Sequence, residues 1–270
     1  MGDDAGTIEI EGRAFAWRTL GEGPPLLLVN GYAATGADWD PSFLAGLAER
    51  FEVVCPDNRG VGDSQLGDGA DLSADSMAAD CEALLDALGI ERLPVVGWSM
   101  GGFVAQRLAL RAPARVAALG LLATDPGGAD SVAADPRVWA ELTDRSGSPR
   151  EQASRLIALL FPAPLAARID AEFGDVVAAA RAQLSPAALR AQEEAMAAWH
   201  VEAQPVPGGA PPTLVLHGEE DRVIPAANAK LLAARWGAEV ELFPAAGHGL
   251  MAQEPERLAA LLSGFLSRPG

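Results

Sequence analysis

The chain has little positive charge. Its 270 residues contain 20 Lys and Arg against 37 Asp and Glu, a formal net charge of −17 at pH 7. Nucleic acid and anionic membrane surfaces would be repelled by this charge, so neither is expected as the main partner. An acidic surface that favours solubility is the simplest interpretation of the imbalance. It says little about a neutral substrate in an apolar pocket.

Long hydrophobic runs and a cysteine framework are also lacking, and the first residues do not have the pattern of a signal peptide. No apolar run approaches the ~20 residues needed to cross a bilayer. The N-terminal stretch MGDDAGTIEIEGRA has acids where a signal peptide has basic residues. We therefore expect a soluble, cytoplasmic protein. Cys55 and Cys81 lie in an apolar run and in a helical pattern, which favours two buried free thiols over a disulfide.

Strand patterns alternate with helical patterns along much of the chain. Rough period-two alternation around Gly12 predicts an antiparallel hairpin of residues 7–10 and 13–19. Short apolar runs predict strands buried on both faces of a parallel sheet, and a further strand is expected near the C-terminus. These strands are residues 24–30, 51–57, 93–99, 116–124, 212–218 and 238–244. Helices between them predict right-handed crossovers and a mostly parallel sheet, so the fold class is α/β.

One long block interrupts this alternation. Between residues 125 and 212 there is no strand pattern, and Ala-rich helical stretches are separated by Pro and Gly. The block is interpreted as an excursion between two sheet strands rather than as a separate C-terminal domain. This predicts an α/β core of residues 1–125 and 211–270, with an inserted helical block of residues 126–210.

The stretch VVGWSMGGFVAQ carries a candidate nucleophile, Ser99, within a G-x-S-x-G motif. In a chain with 29 glycines the motif can arise by chance, so its context decides. Here the strand of Val95 and Val96 precedes the motif and a helical pattern follows it, as a sharp strand-to-helix turn requires. Such a turn exposes the serine oxygen and aims the first helical amides at the site. The Met100 N–H can therefore donate to a developing oxyanion.

A serine hydroxyl needs a neighbouring base, and the chain has only three histidines. His248 is the best candidate, because it lies in a glycine-flanked loop after the last strand, at the same sheet edge as Ser99. His217 is expected to end a buried strand with a local hydrogen bond rather than to touch the site. His200 is expected to be a surface or packing residue, with lining of a substrate pocket as the alternative.

The base in turn needs a carboxylate to hold its tautomer and stabilise the imidazolium. Asp221 fits best, in a loop just beyond the strand of residues 212–218. Asp125 is the serious rival, because it follows the strand of residues 116–124, whose end faces the same site. Glu219 and Glu220 are more simply interpreted as solvated loop charges.

Together these residues resemble the α/β-hydrolase family over nearly the whole chain. The order Ser99, Asp221, His248 is the family's order of nucleophile, acid and base. The stretches DNRGVGDS and HGEEDRVIP resemble the family's D-x-R-G-x-G-x-S loop and its acid-bearing H-G-x-x-D-x-x-x-P segment. The resemblance implies a mostly parallel eight-stranded sheet with helices on both faces. It also implies that the helical block is a cap inserted between strands six and seven.

One segment departs from the family pattern. After the third strand the family usually has His-Gly, whereas this chain has Asn30-Gly31-Tyr32. The resemblance implies that the Tyr32 backbone N–H is the second oxyanion-hole donor and that Asn30 is a positioning side chain. The Tyr32 phenol, the only one in the chain, is interpreted as an aromatic pocket wall, with donation to the substrate as the alternative.

The resemblance implies a serine hydrolase that cleaves a small or medium carboxylic ester or lactone through an acyl-enzyme. Serine rather than aspartate at position 99 argues against haloalkane dehalogenase and epoxide hydrolase chemistry. Hydrolysis of a C–C bond, cofactor-free perhydrolysis and slow-hydrolysing ligand reception remain alternatives, because all use the same triad. No metal site and no cofactor are expected, since the cysteines and histidines do not cluster at ligand spacings.

The expected substrate contacts are taken from the neighbourhood of the motifs. They are Asn30, Gly31, Tyr32, Trp98 and Leu250. Trp39, Met100, Phe103 and Met251 are further apolar candidates that could equally be core. The physiological substrate and the oligomeric state are left open.

Overall fold

The computed structural model describes residues 4–67, 71–201, 205–206 and 208–268. At its centre lies one sheet of eight strands: β1 Ala5–Ile10, β2 Arg13–Leu20, β3 Pro25–Val29, β4 Glu52–Pro56, β5 Leu93–Trp98, β6 Val116–Leu122, β7 Thr213–Gly218 and β8 Glu239–Phe243. The strand order is β1-β2-β4-β3-β5-β6-β7-β8. β1 and β2 form an antiparallel hairpin, β2 pairs antiparallel with β4, and all other pairs are parallel. The predicted hairpin and mostly parallel sheet are confirmed.

Helices complete the fold in the order α1 Pro41–Ala48, α2 Ala74–Ala87, α3 Met100–Arg111, α4 Pro136–Thr143, α5 Pro149–Leu160, α6 Ala163–Arg181, α7 Pro186–Trp199, α8 Ala227–Trp236 and α9 Pro255–Leu266. A short 3₁₀ turn, Leu250–Ala252, precedes α9. α2, α3 and α8 pack on one face of the sheet and α1 and α9 on the other.

Strand β3 shows why the parallel strands are continuously apolar. Leu26, Leu27, Leu28 and Val29 are each 0% exposed. Leu27 and Val29 join the core under α2, α3 and α8, whereas Leu26 and Leu28 join the core under α1 and α9. Because successive side chains point to opposite faces, a strand covered on both sides has no polar position. This packing holds the carboxyl ends of the parallel strands at one common edge.

Helices α4 to α7 form a helical insertion that lies between β6 and β7 in the chain. Each of the four carries a proline in its first turn, where the missing N–H costs no hydrogen bond. Ser148 and Glu151 form a capping box at the start of α5. These signals explain why the insertion forms separate helices. Of the block 126–210 expected from the sequence, residues 202–204 and 207 lie outside the described residues.

Both cysteines are buried and free, as expected. Burial raises the pKa of Cys55 to about 12, so this thiol is inert as a nucleophile at neutral pH. Within the described ranges, no helix is both long and apolar enough to cross a membrane.

Candidate active site

Ser99 sits on a strained turn between β5 and α3. Its backbone has φ 55° and ψ −123°, in a region that favours glycine. A non-glycine residue there costs of order 1–3 kcal/mol, and such strain concentrates at functional sites. The Ser99 carbonyl accepts hydrogen bonds from Gly102 N–H and Thr124 Oγ1, both at 2.8 Å. These contacts hold the strained turn in place.

Glycines make this turn possible because the neighbouring backbone comes too close for a side chain. A Cβ at Gly97 would lie 2.2 Å from the carbonyl oxygen of Gly101, and one at Gly101 would lie 2.2 Å from that of Val29. A Cβ at Gly102 would lie 2.4 Å from Thr124 Oγ1. The α3 helix therefore approaches the sheet more closely than any other residue type allows.

Gly101→Ala is expected to lower the free energy of unfolding by about 2–3 kcal/mol, because the new methyl group meets backbone that cannot rotate away. Gly264→Ala is the matched control. Gly264 is exposed near the end of α9, and nothing lies within 4 Å of its built Cβ. That change is expected to be neutral or to stabilise by up to about 1 kcal/mol. Urea unfolding measures both, and equal effects would contradict the close approach.

Ser99 opens into a cavity of about 580 Å³ between the sheet edge and the helical insertion. The residue is 7% exposed and lines this cavity. His248 lines the same cavity from the loop after β8. The structure therefore brings the candidate nucleophile and the candidate base to one space.

Asp221 holds His248. The His248 Nδ1 and Asp221 Oδ2 atoms are 2.8 Å apart, and both side chains are almost completely buried. The other carboxylate oxygen accepts the backbone N–H groups of Val223 at 2.8 Å and Ile224 at 2.9 Å. Because Nδ1 is engaged by the carboxylate, Nε2 is the ring nitrogen left for the cavity.

The Asp221 carboxyl stays ionised throughout the ordinary pH range. Burial by itself would raise its pKa, but the adjacent His248 and hydrogen bonds from His217 and His248 outweigh burial and lower the pKa to about 2. The carboxylate can therefore stabilise a positive charge on His248 over the whole range in which enzymes are assayed.

His217 has a role that the sequence did not indicate. Its Nε2 lies 2.8 Å from the carbonyl oxygen of Ile224, the local hydrogen bond expected of it, and 3.3 Å from Asp221 Oδ2. His217 is 0% exposed and does not line the cavity among the described residues. His217 therefore contacts the Asp221 carboxylate from within the buried core and not from the cavity. In the sequence, His217 is the first residue of the H-G-x-x-D-x-x-x-P segment, four residues before Asp221.

The rival carboxylate, Asp125, has different partners. Asp125 Oδ2 lies 3.1 Å from His200 Nε2, and Asp125 Oδ1 accepts Trp199 Nε1 at 3.0 Å and the Gly127 N–H at 2.8 Å. The hydrogen bond that His200 donates to the Asp125 carboxylate raises the pKa of His200. Both Asp125 and His200 line the cavity, so His200 takes the pocket-lining alternative. The structure thus contains two His–Asp pairs at this cavity, and His248 belongs to the pair with Asp221.

Trp98 connects the nucleophile turn to the histidine loop. Its Nε1 donates to the His248 carbonyl oxygen at 3.0 Å, and the two rings lie 5.4 Å apart. Trp98 also packs edge-on against the buried Trp39 and lines the cavity. It is therefore both pocket wall and support for the base. A Cβ at Gly31 would lie 2.9 Å from the Trp98 ring and 3.3 Å from Ser99 Cβ, so the loop after β3 passes directly beside the nucleophile.

The loop after β3 is tied to the helical insertion. The Tyr32 phenol donates to Glu193 Oε1 at 2.5 Å, and the Ala33 N–H donates to Gln192 Oε1 at 2.9 Å. Burial and the bond to Glu193 raise the pKa of the Tyr32 phenol, which stays protonated. Gln192 also donates from Nε2 to the Arg59 carbonyl at 3.1 Å. The phenol is thus engaged by the protein, and its ring is a cavity wall.

The expected substrate contacts divide into two groups. Tyr32 and Trp98 line the cavity, as does Phe103. Asn30, Gly31 and Leu250 are not among the described residues that line it. Asn30 is buried and donates from Nδ2 to the Pro56 carbonyl at 2.7 Å, so it braces the loop after β3. Leu250 belongs to the core under α9, together with Trp39 and Met251.

Most of the cavity wall comes from residues that sequence reasoning missed. The amphipathic helices of the insertion contribute a largely aliphatic lining: Val138, Leu142, Leu156, Ile157, Leu160, Phe161, Ile169 and Val177. Their helical periodicity is visible in the sequence, but it does not tell which apolar face meets the core and which meets a cavity. Among the described residues, no cluster of three or more His, Cys, Asp or Glu could hold a metal ion.

The fold agrees with the comparisons with known proteins. The chain belongs to the α/β-hydrolase fold family, whose model matches residues 24–255. It is 31% identical over 268 residues to a pimeloyl-[acyl-carrier protein] methyl ester esterase of Photobacterium profundum, covering 94% of this chain and 98% of the relative. This confirms the family resemblance.

Solved structures agree over the whole fold. A hydrolase of Pseudomonas aeruginosa superimposes with a TM-score of 0.81 at 27% identity, covering 98% of this chain and 99% of that one. A thermophilic esterase of Thermogutta terrifontis superimposes with a TM-score of 0.79 at 26% identity, covering 98% of each chain.

Proposed function

We propose that this chain is a serine hydrolase that cleaves a small or medium carboxylic ester or lactone. Ser99 is the nucleophile, His248 is the base, and Asp221 is the carboxylate that orients the base. The observation that carries the proposal is the 2.8 Å pairing of His248 Nδ1 with a buried, ionised Asp221, beside a strained Ser99 in the same cavity. The esterase relatives support this choice of reaction.

The reaction follows from the positions of these groups. Ser99 Oγ attacks the ester carbonyl carbon while His248 Nε2 accepts the hydroxyl proton. As the tetrahedral intermediate collapses, the C–O bond to the leaving group breaks and His248 returns the proton to the departing alkoxide. A water molecule then attacks the acyl-enzyme with His248 again as base, which releases the acid and regenerates Ser99.

Two backbone amides would bind the oxyanion. Met100 is the first residue of α3, and the first N–H groups of a helix have no intrahelical acceptor. Tyr32 follows Gly31, which lies against Ser99. Loss of one such donor typically costs about 10²–10³ in turnover, so this hole accounts for a large share of the catalysis.

The helical insertion would act as a cap that shapes the pocket. Residues 126–210 would form it, and residues 1–125 and 211–270 the hydrolase core. The cavity of about 580 Å³ lies within the range of about 300–1,000 Å³ typical of small-molecule sites. Its aliphatic lining favours a substrate whose acyl or alcohol part is apolar next to the scissile bond.

Steady-state hydrolysis of p-nitrophenyl esters from acetate to decanoate tests the proposal. We expect repeated turnover, with a maximum of kcat/KM at an acyl length that the cavity can hold. A single burst of nitrophenol without turnover would instead indicate a ligand receptor. Absence of both burst and turnover, with hydrolysis of a vinylogous diketone, would indicate C–C bond hydrolysis and overturn the ester assignment.

A further inference from the structure

Three basic side chains line the cavity, and two of them already have a carboxylate. His248 is paired with Asp221, and His200 is paired with Asp125. The third is Arg181, the last residue of α6. In the described part of the chain it makes no ion pair within 4.0 Å, and its buried Nε has no hydrogen-bond partner.

Two other arginines whose charges act on Arg181 are each paired with a carboxylate. Arg145 holds both carboxylate oxygens of Glu193 at 2.6 Å, and Arg155 lies 3.3 Å from the carboxylate of Asp144. Five other described arginines without a carboxylate partner are exposed to solvent: Arg18, Arg50, Arg92, Arg168 and Arg190. Arg222 and the partly buried Arg235 also lack a carboxylate, but they donate to the Ala158 and Pro126 carbonyls. Arg181 differs because it is partly buried at the cavity wall and donates no such side-chain hydrogen bond within the described residues.

The remaining acid near Arg181 does not satisfy it. Asp38 lines the cavity, but it is exposed and its Oδ2 accepts the Thr35 N–H at 2.7 Å and the Thr35 hydroxyl at 2.9 Å. Burial lowers the pKa of Arg181, although the guanidinium remains charged. A partly buried cation without a carboxylate partner loses hydration that nothing replaces, so an anion entering the cavity would find a site that is already partly desolvated.

We propose that Arg181 is a carboxylate-binding residue, so that the substrate is an ester whose acyl chain ends in a free carboxylate. The inference rests on the proposed function and names the substrate class of the same site. The planar guanidinium suits a carboxylate, since its N–H fork binds both oxygens at once. Ser99 and Arg181 line the same cavity, and its aliphatic lining suits a methylene chain linking the ester to the carboxylate.

Paired substrates test this assignment. The monomethyl and dimethyl esters of dicarboxylic acids from succinate to suberate differ only in the distal charge. For the chain length that wild type prefers, we expect Arg181→Gln to lower the ratio of kcat/KM for the half-ester to that for the diester by about 10- to 100-fold, mainly through KM. Arg181→Lys, which keeps the charge but loses the fork, should show a smaller fall.

Arg168→Gln is the matched control, because Arg168 lies on the same helix and is exposed. It should leave the substrate ratio at the wild-type value. The same ratio in Arg181→Gln as in wild type, at every chain length, would overturn the assignment.

Binding without turnover separates this inference from the proposed function. In the Ser99→Ala background, calorimetry with the free dicarboxylates should give binding that Arg181→Gln weakens by a similar factor. If wild type hydrolyses neither ester but this binding depends on Arg181, the hydrolase proposal fails and the carboxylate site stands. If both esters are hydrolysed and neither ratio nor binding responds to Arg181→Gln, the carboxylate site fails and the hydrolase proposal stands.

Discussion

Ser99→Ala is expected to lower kcat/KM for a nitrophenyl ester by about 10⁴- to 10⁶-fold, because no other group can form the acyl-enzyme. The cavity, the His248–Asp221 pair and the backbone amides all remain in the variant. A residual rate above that in water is therefore expected from binding and oxyanion stabilisation. A fluorophosphonate probe should label wild type once and leave Ser99→Ala unlabelled, as measured by intact-protein mass.

Ser131→Ala is the matched control for this change. Ser131 also belongs to the cavity region, since its Oγ lies 3.5 Å from Asp125 Oδ1, but it is not among the described residues that line the cavity. It should keep both turnover and labelling. Equal labelling of wild type and Ser99→Ala, when circular dichroism shows that both are folded, would contradict the assignment of Ser99 as the nucleophile.

Asp221→Asn is expected to lower kcat by about 10⁴-fold with little change in fold, because an amide cannot stabilise the imidazolium and favours the wrong tautomer of His248. Asp125→Asn is the comparison variant, because Asp125 forms the second His–Asp pair. It alters the partner of His200, not of His248, so its effect on kcat should be far smaller. Steady-state kinetics of the two variants with one ester decide the matter. An inactive Asp125→Asn beside an active Asp221→Asn would reverse the assignment.

The pH dependence of stability is a second measurement on Asp221→Asn. The folded pKa of Asp221, about 2, lies below the value of about 3.9 expected in the unfolded chain. Its ionised form therefore contributes stability above about pH 4, and this contribution is lost as the pH falls toward 2. Asp221→Asn removes the contribution, so the difference in Tm from wild type should be largest near neutral pH and shrink on acidification.

The sheet could be predicted because a strand that is buried on both faces has a short, continuously apolar sequence. A strand covered by two layers of helices is uniformly apolar, as residues 26–29 are, and the change to helical periodicity after Trp98 marks the turn that carries Ser99. The same logic placed His248 and Asp221 in loops at one sheet edge. These inferences need only local pattern and the direction of the strands.

The cavity wall could not be predicted, for a physical reason. An aliphatic face on α5 or α6 has the same sequence pattern whether it meets the core or lines a cavity. The roles of Trp98 and His217 depend on contacts with residues far along the chain, such as the 3.0 Å bond from Trp98 to the His248 carbonyl. Leu250 packs in the core and does not line the cavity among the described residues, because proximity in sequence to His248 does not decide on which side of the loop a side chain packs.

The contacts of Gln192 and Glu193 tie the helical insertion to the loop after β3, which lies beside Ser99. The loop that carries the proposed Tyr32 oxyanion amide is anchored by hydrogen bonds to two adjacent residues of α7. Displacing α7 to admit a large substrate would release those bonds and loosen the amide. We therefore expect that a movement of α7 that widens the entrance would weaken the preorganisation of the proposed oxyanion site.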